Sequence, residues 1–519
     1  MAFPAPVELD PEVLYAAHCR RDARMDGRFF TGVTTTGVFC RPVCPAPAPK
    51  PRHCRYFRSA AAARNAGFRP CLRCRPEAAP GTAAWRGSEA TVSRALRLIE
   101  GGALDGDGNV EALAARLGIG ARHLRRLFDL HLGATPRDVA ILRRVLFAKQ
   151  LLDETALPIV EVAQSAGFGS VRRFNATIRS IYGRPPSALR GTRGSATSRT
   201  VSPAPPSIGL TLAYRAPLAW DALLAFLGRR ALPGVEQVAD GVYRRALRTA
   251  AGPAVVAVSH DADRERLRVE VRTASPAGLL ELRERLRRLF DLDADPGAID
   301  AAVARVARLR ADVKGRPGLR VPGACDGFET AVRAILGQQI SVAGATTLAG
   351  RIVRAFGEPL PAALASDDGI ERLFPTAARL ADAELEPLGV IGARATAIRA
   401  FAQAVALDPG LVEPGLALEA ALDRWSALPG IGPWTAQLLA MRVLREPDAL
   451  PASDLGLRQA ITEPGASPRA AAEVERTLEA SRPYRAYAAI RLWSAVPDDP
   501  PTPRRGARRR TRASGASSA

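Results

Sequence analysis

Two close pairs of cysteines, Cys40 with Cys44 and Cys71 with Cys74, share one short segment, FCRPVCPAPAPKPRHCRYFRSAAAARNAGFRPCLRC (39–74). Three residues separate the first pair, two the second, and 26 lie between the pairs. Each pair fits one tight turn, and four thiolates so spaced are the usual layout of a tetrahedral zinc site. A zinc-held sulfur is either inert structure or a nucleophile ready at neutral pH, and the spacing alone leaves both open. A second stretch, LPGIGPWTAQLLAMRV (428–443), reads as helix, glycine hairpin and helix. It turns backbone N–H groups at Gly430 and Gly432 outward near a helix N-terminus, which suits a DNA phosphate without reading any base. Eleven residues further on stands Asp454, a carboxylate able to stabilise developing positive charge. A hairpin serving only as a DNA clamp, with an unrelated aspartate, is the competing reading.

The elements that must position these groups fall into several units, as 519 residues require. The net charge is +21, and of 73 basic residues only Lys50, Lys149 and Lys314 are lysine. Biased codon use accounts for the missing lysine but not for the shortage of acidic residues, so a polyanionic partner is expected. The start, MAFPAPVELDPEVL, lacks the basic and apolar runs of a signal peptide. No stretch approaches a membrane span, so a cytoplasmic chain with reduced thiols and no membrane partner is expected. Cys19 and Cys54 fall outside the paired spacing and are expected to be buried free thiols. Cys325 is expected to be structural.

Between 82 and 189 the pattern is helical. VEALAARLGIGARHLRRLFDLHLGATPRDV holds a helix, a glycine turn and a second helix with Arg122, His123, Arg125 and Arg126. IVEVAQSAGFGSVRRFNATIRSIYGRPPSALR repeats the plan with Ser170, Arg172, Arg173 and Asn175. Two helix-turn-helix units joined by a helix put recognition helices into successive major grooves of double-stranded DNA. Short strand-like runs such as AVVAVSH and LRVEVRT then appear up to about 312, and 325–496 is helical again.

The words TTGVFCRPVCPAPAPK and NAGFRPCLRC, with RDARMDGRFFTGV, resemble the methyl-phosphotriester acceptor domain of the bacterial adaptive-response (Ada-type) proteins over about 10–77. In that family the residue matching Cys40 is both zinc ligand and methyl acceptor, and Cys44, Cys71 and Cys74 complete the site around one Zn2+. The helical pair resembles the AraC-type regulator domain, which implies RNA polymerase as a partner when the protein activates a promoter. Residues 208–496, with FETAVRAILGQQISVAGATTLAGRIV and RPYRAYAAIRLW, resemble the 3-methyladenine type II (AlkA-like) helix-hairpin-helix glycosylases. That resemblance implies Asp454 as the catalytic carboxylate. It implies Trp434, Trp493 and Phe226 as pocket aromatics and Gln339 as the wedge entering the vacated base space. Leu438 and Leu455 stand where the family places pocket tyrosines, which puts the breadth of excised bases in question. Carbonyls of Ser426, Leu428 and Ile431 could hold a monovalent cation. Strand-cutting relatives carry a lysine just after the hairpin. Trp434 stands there, and no lysine follows Lys314, so a monofunctional glycosylase using water is expected.

The expected architecture is multidomain and mainly α. It runs as a small zinc-bound α+β domain (1–80), an AraC-type double helix-turn-helix (84–190) and a flexible linker (191–207). An α+β subdomain (208–315), an all-α helix-hairpin-helix glycosylase domain (316–497) and a disordered basic tail (498–519) follow. The nucleoid of a bacterial cytoplasm is the expected location.

Overall fold

The computed structural model describes residues 10–22, 25–74, 76, 89–105, 108–190, 207–365, 368–463 and 466–495. The expected linker, apart from Ser207, and the expected basic tail lie outside the described residues.

In the first module a four-stranded sheet runs in the order Cys54–Phe57, Phe30–Val33, Val38–Cys40, Arg69–Pro70. The turn after Phe30–Val33 closes at Gly37, whose φ of +65° is the left-handed region that glycine enters freely. The last pairing is parallel, with Phe39 opposite Pro70. Cys40 and Cys71 therefore leave neighbouring strands at the same end, and the two cysteine pairs meet although far apart in sequence. Buried Phe30 and Phe39 pack edge to face at 5.8 Å, with Phe68 buried beside them.

The next unit is built from helices. Val110–Arg116 precedes Ala121–Leu132, and Ile159–Ser165 precedes Val171–Tyr182. The long helix Pro136–Glu154 joins the two pairs, started by a capping box of Thr135 and Asp138. Both second helices end on a left-handed glycine, Gly133 and Gly183. Each buries one stripe (Leu124, Leu127 and Phe128; Phe174, Ile178 and Tyr182) and leaves its arginine stripe to solvent.

A five-stranded antiparallel sheet follows, ordered Ile208–Ala213, Arg266–Thr273, Gly252–Asp261, Val242–Thr249, Glu236–Ala239. Its core is continuous with that of the second helix-turn-helix pair and of the helices beyond 326. Polar contacts seal the junctions. Glu154 accepts from the backbone N–H and the hydroxyl of Thr211 (2.9 and 2.6 Å). Arg94 and Arg97 donate to the carbonyls of Gly415 and Pro414 (3.0 and 2.8 Å). From the zinc module, the Asp26 carbonyl accepts from buried Arg215 at 3.2 Å.

Among the described residues, the region expected to be all helical also holds a two-residue ladder pairing Glu358–Pro359 with Arg372–Leu373 and a parallel bridge from Ile370 to Gly234. Pro359 and Pro361 cannot continue the preceding helix, and the extended chain finds a partner instead.

The sheet is bolted to the helix Gly327–Leu336 by buried charges. Arg245 spans Glu236 and Glu329 (2.8 and 2.5 Å), and Arg333 reaches both carboxylates at 2.8 Å. Removing one member of such a network strands the others without water. Arg245→Ala is expected to destabilise the half of the chain beyond residue 207 by about 3–5 kcal/mol. A lowered denaturant midpoint for that half, with the zinc module unaffected, checks this.

Candidate functional site

The sulfurs of Cys40, Cys44, Cys71 and Cys74 all lie within 4.8 Å of one another, and all four residues are buried. Four soft thiolates at tetrahedral spacing fit zinc, whose bonds to sulfur are about 2.3 Å. Thiols so close compete for protons. Hydrogen bonding to Cys44 pushes Cys40 up, and hydrogen bonding to Cys40 pulls Cys71 far down. Two of the sulfurs accept backbone N–H groups: Cys74 from Arg41 (3.3 Å) and Cys71 from Arg73 (3.4 Å). Among the described residues no backbone N–H reaches the sulfur of Cys40. Arg41, next in the chain, donates Nη1 to the Cys74 carbonyl (3.1 Å) and Nε to buried Asp26 (2.9 Å).

The other cysteines divide. Cys325 is buried, and burial pushes its thiol up to about 11, in keeping with a structural role. The expectation of buried thiols at Cys19 and Cys54 is corrected. Cys19 ends the helix Pro11–Cys19 and is exposed, and Cys54 is half-buried at the start of an outer strand, near the Lys50 carbonyl (3.5 Å). A helix end and a sheet edge give neither sulfur a covering layer.

On the helix-turn-helix unit, Arg122, His123, Arg125, Arg126, Arg172 and Arg173 are exposed, and Asn175 is half-buried. Ser170 caps its helix, its hydroxyl accepting from the Arg173 N–H at 3.2 Å. Between the two recognition helices runs a cleft of about 630 Å³ lined by Arg125, Arg137 and Arg173. Arg137 was missed by motif reading. Its signal was its place just inside the capped start of the connecting helix, where cations and free N–H groups face one way.

In the half beyond residue 207, three donors converge on Asp454. It caps the helix Leu455–Ala460, taking the Leu457 N–H on Oδ1 at 3.0 Å. Trp493 Nε1 donates to the same oxygen at 2.7 Å, and Trp434 Nε1 donates to Oδ2 at 2.8 Å. The two tryptophans thus orient the carboxylate as well as standing beside it, which no spacing could reveal. Leu455 is 52% exposed and Leu438 half-buried. Phe226 is buried, with the guanidinium of Arg230 3.9 Å above its ring and that of Arg442 at 5.8 Å. Gln339 stands exposed at φ +57°, unusual for a residue with a side chain and typical of a functional tip.

The hairpin's glycines are required by geometry. Gly430 has φ +75°, and an added Cβ would sit 2.6 Å from that of Ala397. Gly432 is extended and precedes Pro433 at the start of the helix Pro433–Arg442. Both glycines are exposed, and neither N–H is paired with an acceptor among the described residues. The carbonyl of Leu428, one of three expected to face a cation, accepts the Ile431 N–H at 3.2 Å.

A thiolate cage, a double helix-turn-helix and a hairpin glycosylase on one chain define a regulator fused to a DNA-repair enzyme. Family models agree along its length. They describe the metal binding domain of Ada (13–77), a helix-turn-helix domain (113–192), the AlkA N-terminal domain (209–326) and the HhH-GPD superfamily base excision DNA repair protein (332–483). The chain is 40% identical to the probable bifunctional transcriptional activator/DNA repair enzyme AlkA of Mycobacterium tuberculosis, over 94% of this chain and 97% of that protein. It belongs to that family of bifunctional activator/DNA repair enzymes. It is also 36% identical to DNA-3-methyladenine glycosylase 2 of Escherichia coli, over 54% of this chain and 96% of that one. Identity to the bifunctional activator/repair enzyme Ada of Escherichia coli is 38%, over 22% of this chain and 31% of that one. Among the described residues no helix is long and apolar enough to cross a membrane.

Gly430→Ala forces a side chain into a left-handed turn, a strain of about 1–2 kcal/mol, and into Ala397. Affinity for duplex DNA with an abasic-site analogue should fall about tenfold or more in a filter or anisotropy titration, with zinc content unchanged.

Proposed function

We propose that this protein answers DNA alkylation in two ways. Its glycosylase half hydrolyses the N-glycosidic bond of alkylated purines such as 3-methyladenine, and Cys40 takes methyl groups from DNA phosphotriesters, which activates sequence-specific binding. The grip on Asp454 carries the glycosylase reading, because three neutral donors aim one carboxylate, and among the described residues no cation pairs with it.

The hairpin amides of Gly430 and Gly432 take a phosphate, and the damaged nucleotide turns out of the stack. Gln339 fills the space it leaves. Alkylation at N3 or N7 makes the purine cationic, and electron-rich indoles favour a cation over a neutral base. The base is then a good leaving group without strong acid help. As its bond to C1′ lengthens, Asp454 stabilises the oxocarbenium-like sugar and orients the attacking water. Water is the nucleophile because Trp434 stands in the lysine position, so the product is an unbroken strand with an abasic site. Leu438 and Leu455 set the breadth of the pocket. The carbonyls of Ser426, Leu428 and Ile431 could hold a monovalent cation that steadies the hairpin, and no step depends on it.

At the other site, zinc supplies the positive charge that keeps sulfur deprotonated at neutral pH. Cys40 uses a sulfur lone pair to form an S–C bond. The C–O bond of the phosphotriester breaks, and a phosphodiester anion leaves. The thioether does not return its methyl, so the step runs once per molecule. One negative charge disappears beside the DNA, and promoter affinity rises accordingly. Arg122, His123, Arg125, Arg126, Arg172, Arg173 and Asn175 then face two major grooves, and RNA polymerase is the partner at the promoter. The bacterial cytoplasm, on the nucleoid, is the setting this reading implies.

Asp454→Asn keeps shape and loses charge. Release of 3-methyladenine should fall by roughly two or more orders of magnitude, while affinity for abasic DNA stays within a few-fold. Full activity in that variant would move the catalytic carboxylate elsewhere. After exposure to methylated DNA, peptide mass spectrometry should find one methyl on Cys40. The modified protein should bind its operator more tightly than the unmodified one, with the gain shrinking as salt rises.

A further inference from the structure

Gln339 can act as a wedge only if something fixes where it stands relative to the hairpin that grips the strand. Its neighbour Gln338 has that geometry. Gln338 follows Gly337, the cap of the helix Gly327–Leu336, with its N–H on the Ile335 carbonyl at 3.3 Å. Its side-chain Nε2 donates to the Gly430 carbonyl at 2.9 Å and to the hydroxyl of Thr435 at 3.0 Å. Its own carbonyl accepts from the guanidinium of Arg394, on the helix Gly392–Leu407. The orientation of the amide follows from its neighbours, since a backbone carbonyl only accepts.

These contacts join three working parts. The Gly430 carbonyl belongs to the peptide unit whose N–H, that of Ile431, is already taken by Leu428. With Gln338 on the carbonyl, that peptide plane is fixed at both edges, and the flanking N–H groups of Gly430 and Gly432 stay turned outward. Thr435 is buried and directly follows Trp434, whose indole holds Asp454. Gln339, one residue along, is the strained, exposed tip. A single amide therefore spans tip, phosphate grip and the turn that carries the carboxylate's support.

We propose that Gln338 is a positioning residue for base flipping: it holds the wedge loop and the hairpin at a fixed separation, so that phosphate capture and entry of Gln339 occur together. This rests on the glycosylase reading above. The chemistry calls for an amide. A carboxylate of the same size would set oxygen against the Gly430 carbonyl, and an alanine would leave that carbonyl and the Thr435 hydroxyl without their partner. The role concerns the unstacking step and not bond cleavage, which distinguishes it from that of Asp454.

The test uses the full chain with Gln338→Ala and the near-isosteric Gln338→Glu. Single-turnover release of 7-methylguanine is measured from two duplexes, one with the lesion opposite cytosine and one with it opposite an abasic-site analogue, where little pairing must be broken. Losing two hydrogen bonds of ordinary strength should slow release from the paired duplex about tenfold or more in both variants. Release from the unpaired duplex should stay within about threefold of wild type. Equal slowing on both duplexes overturns the proposal in favour of a general structural role, and so does no slowing on either. If wild-type protein releases base from neither duplex while binding abasic DNA, the glycosylase reading itself falls, and the positioning role falls with it. A Gln338→Glu protein as fast as wild type on the paired duplex also overturns it, since that variant keeps size and loses the donors.

Discussion

In the function proposed here, each reactive centre must keep negative charge beside DNA, a polyanion that repels it. For Asp454 the solution is a triangle of neutral donors, two indole N–H groups and one backbone N–H at a helix start. Neutral donors fix the carboxylate without cancelling its charge, which an arginine partner would do. In the reaction proposed above, that charge acts on a sugar that becomes cationic only in the transition state. Much of the helical half serves this triangle. The hairpin helix delivers Trp434, the last described helix, Arg485–Ala495, delivers Trp493, and the turn before Leu455–Ala460 delivers the aspartate.

The thiolate cage meets the same constraint differently. Parallel pairing of Val38–Cys40 with Arg69–Pro70 brings the cysteine pairs together, and backbone N–H groups donate to the sulfurs of Cys71 and Cys74. Arg41 lies against this cage and is paired with Asp26, whose carbonyl meets Arg215 of the glycosylase half. With the shared core behind the second recognition helix, the regulator is packed onto the enzyme over several surfaces.

What the sequence made legible was chemistry with local grammar. The cysteine pairs, the glycine hairpin and the repeated helix-turn-helix are each fixed by a few neighbouring residues, so their spacing could be read directly. Asp454 was legible through its distance from the hairpin. Long-range packing was not. The indole bonds to Asp454 join residues 20 and 39 positions away, and Gln338 reaches Gly430 across 92. The exposure of Cys19 depends on what covers a helix end, and the small ladder at Glu358–Pro359 on a partner strand brought back by the fold. Phe226 was placed by resemblance, and only the structure shows two guanidiniums at its ring.

The central claim is that one chain carries a catalytic and a self-consuming reaction at separate centres. It is tested most directly by one time course with excess DNA carrying radiolabelled methyl groups, separating released purine from protein-bound label. The account predicts that released purine rises steadily past one equivalent per chain, while protein-bound methyl levels off at about one equivalent, the limit for a single thiolate acceptor that is not regenerated. Purine release that stops with protein methylation, or protein label that never appears while purine accumulates, would contradict it.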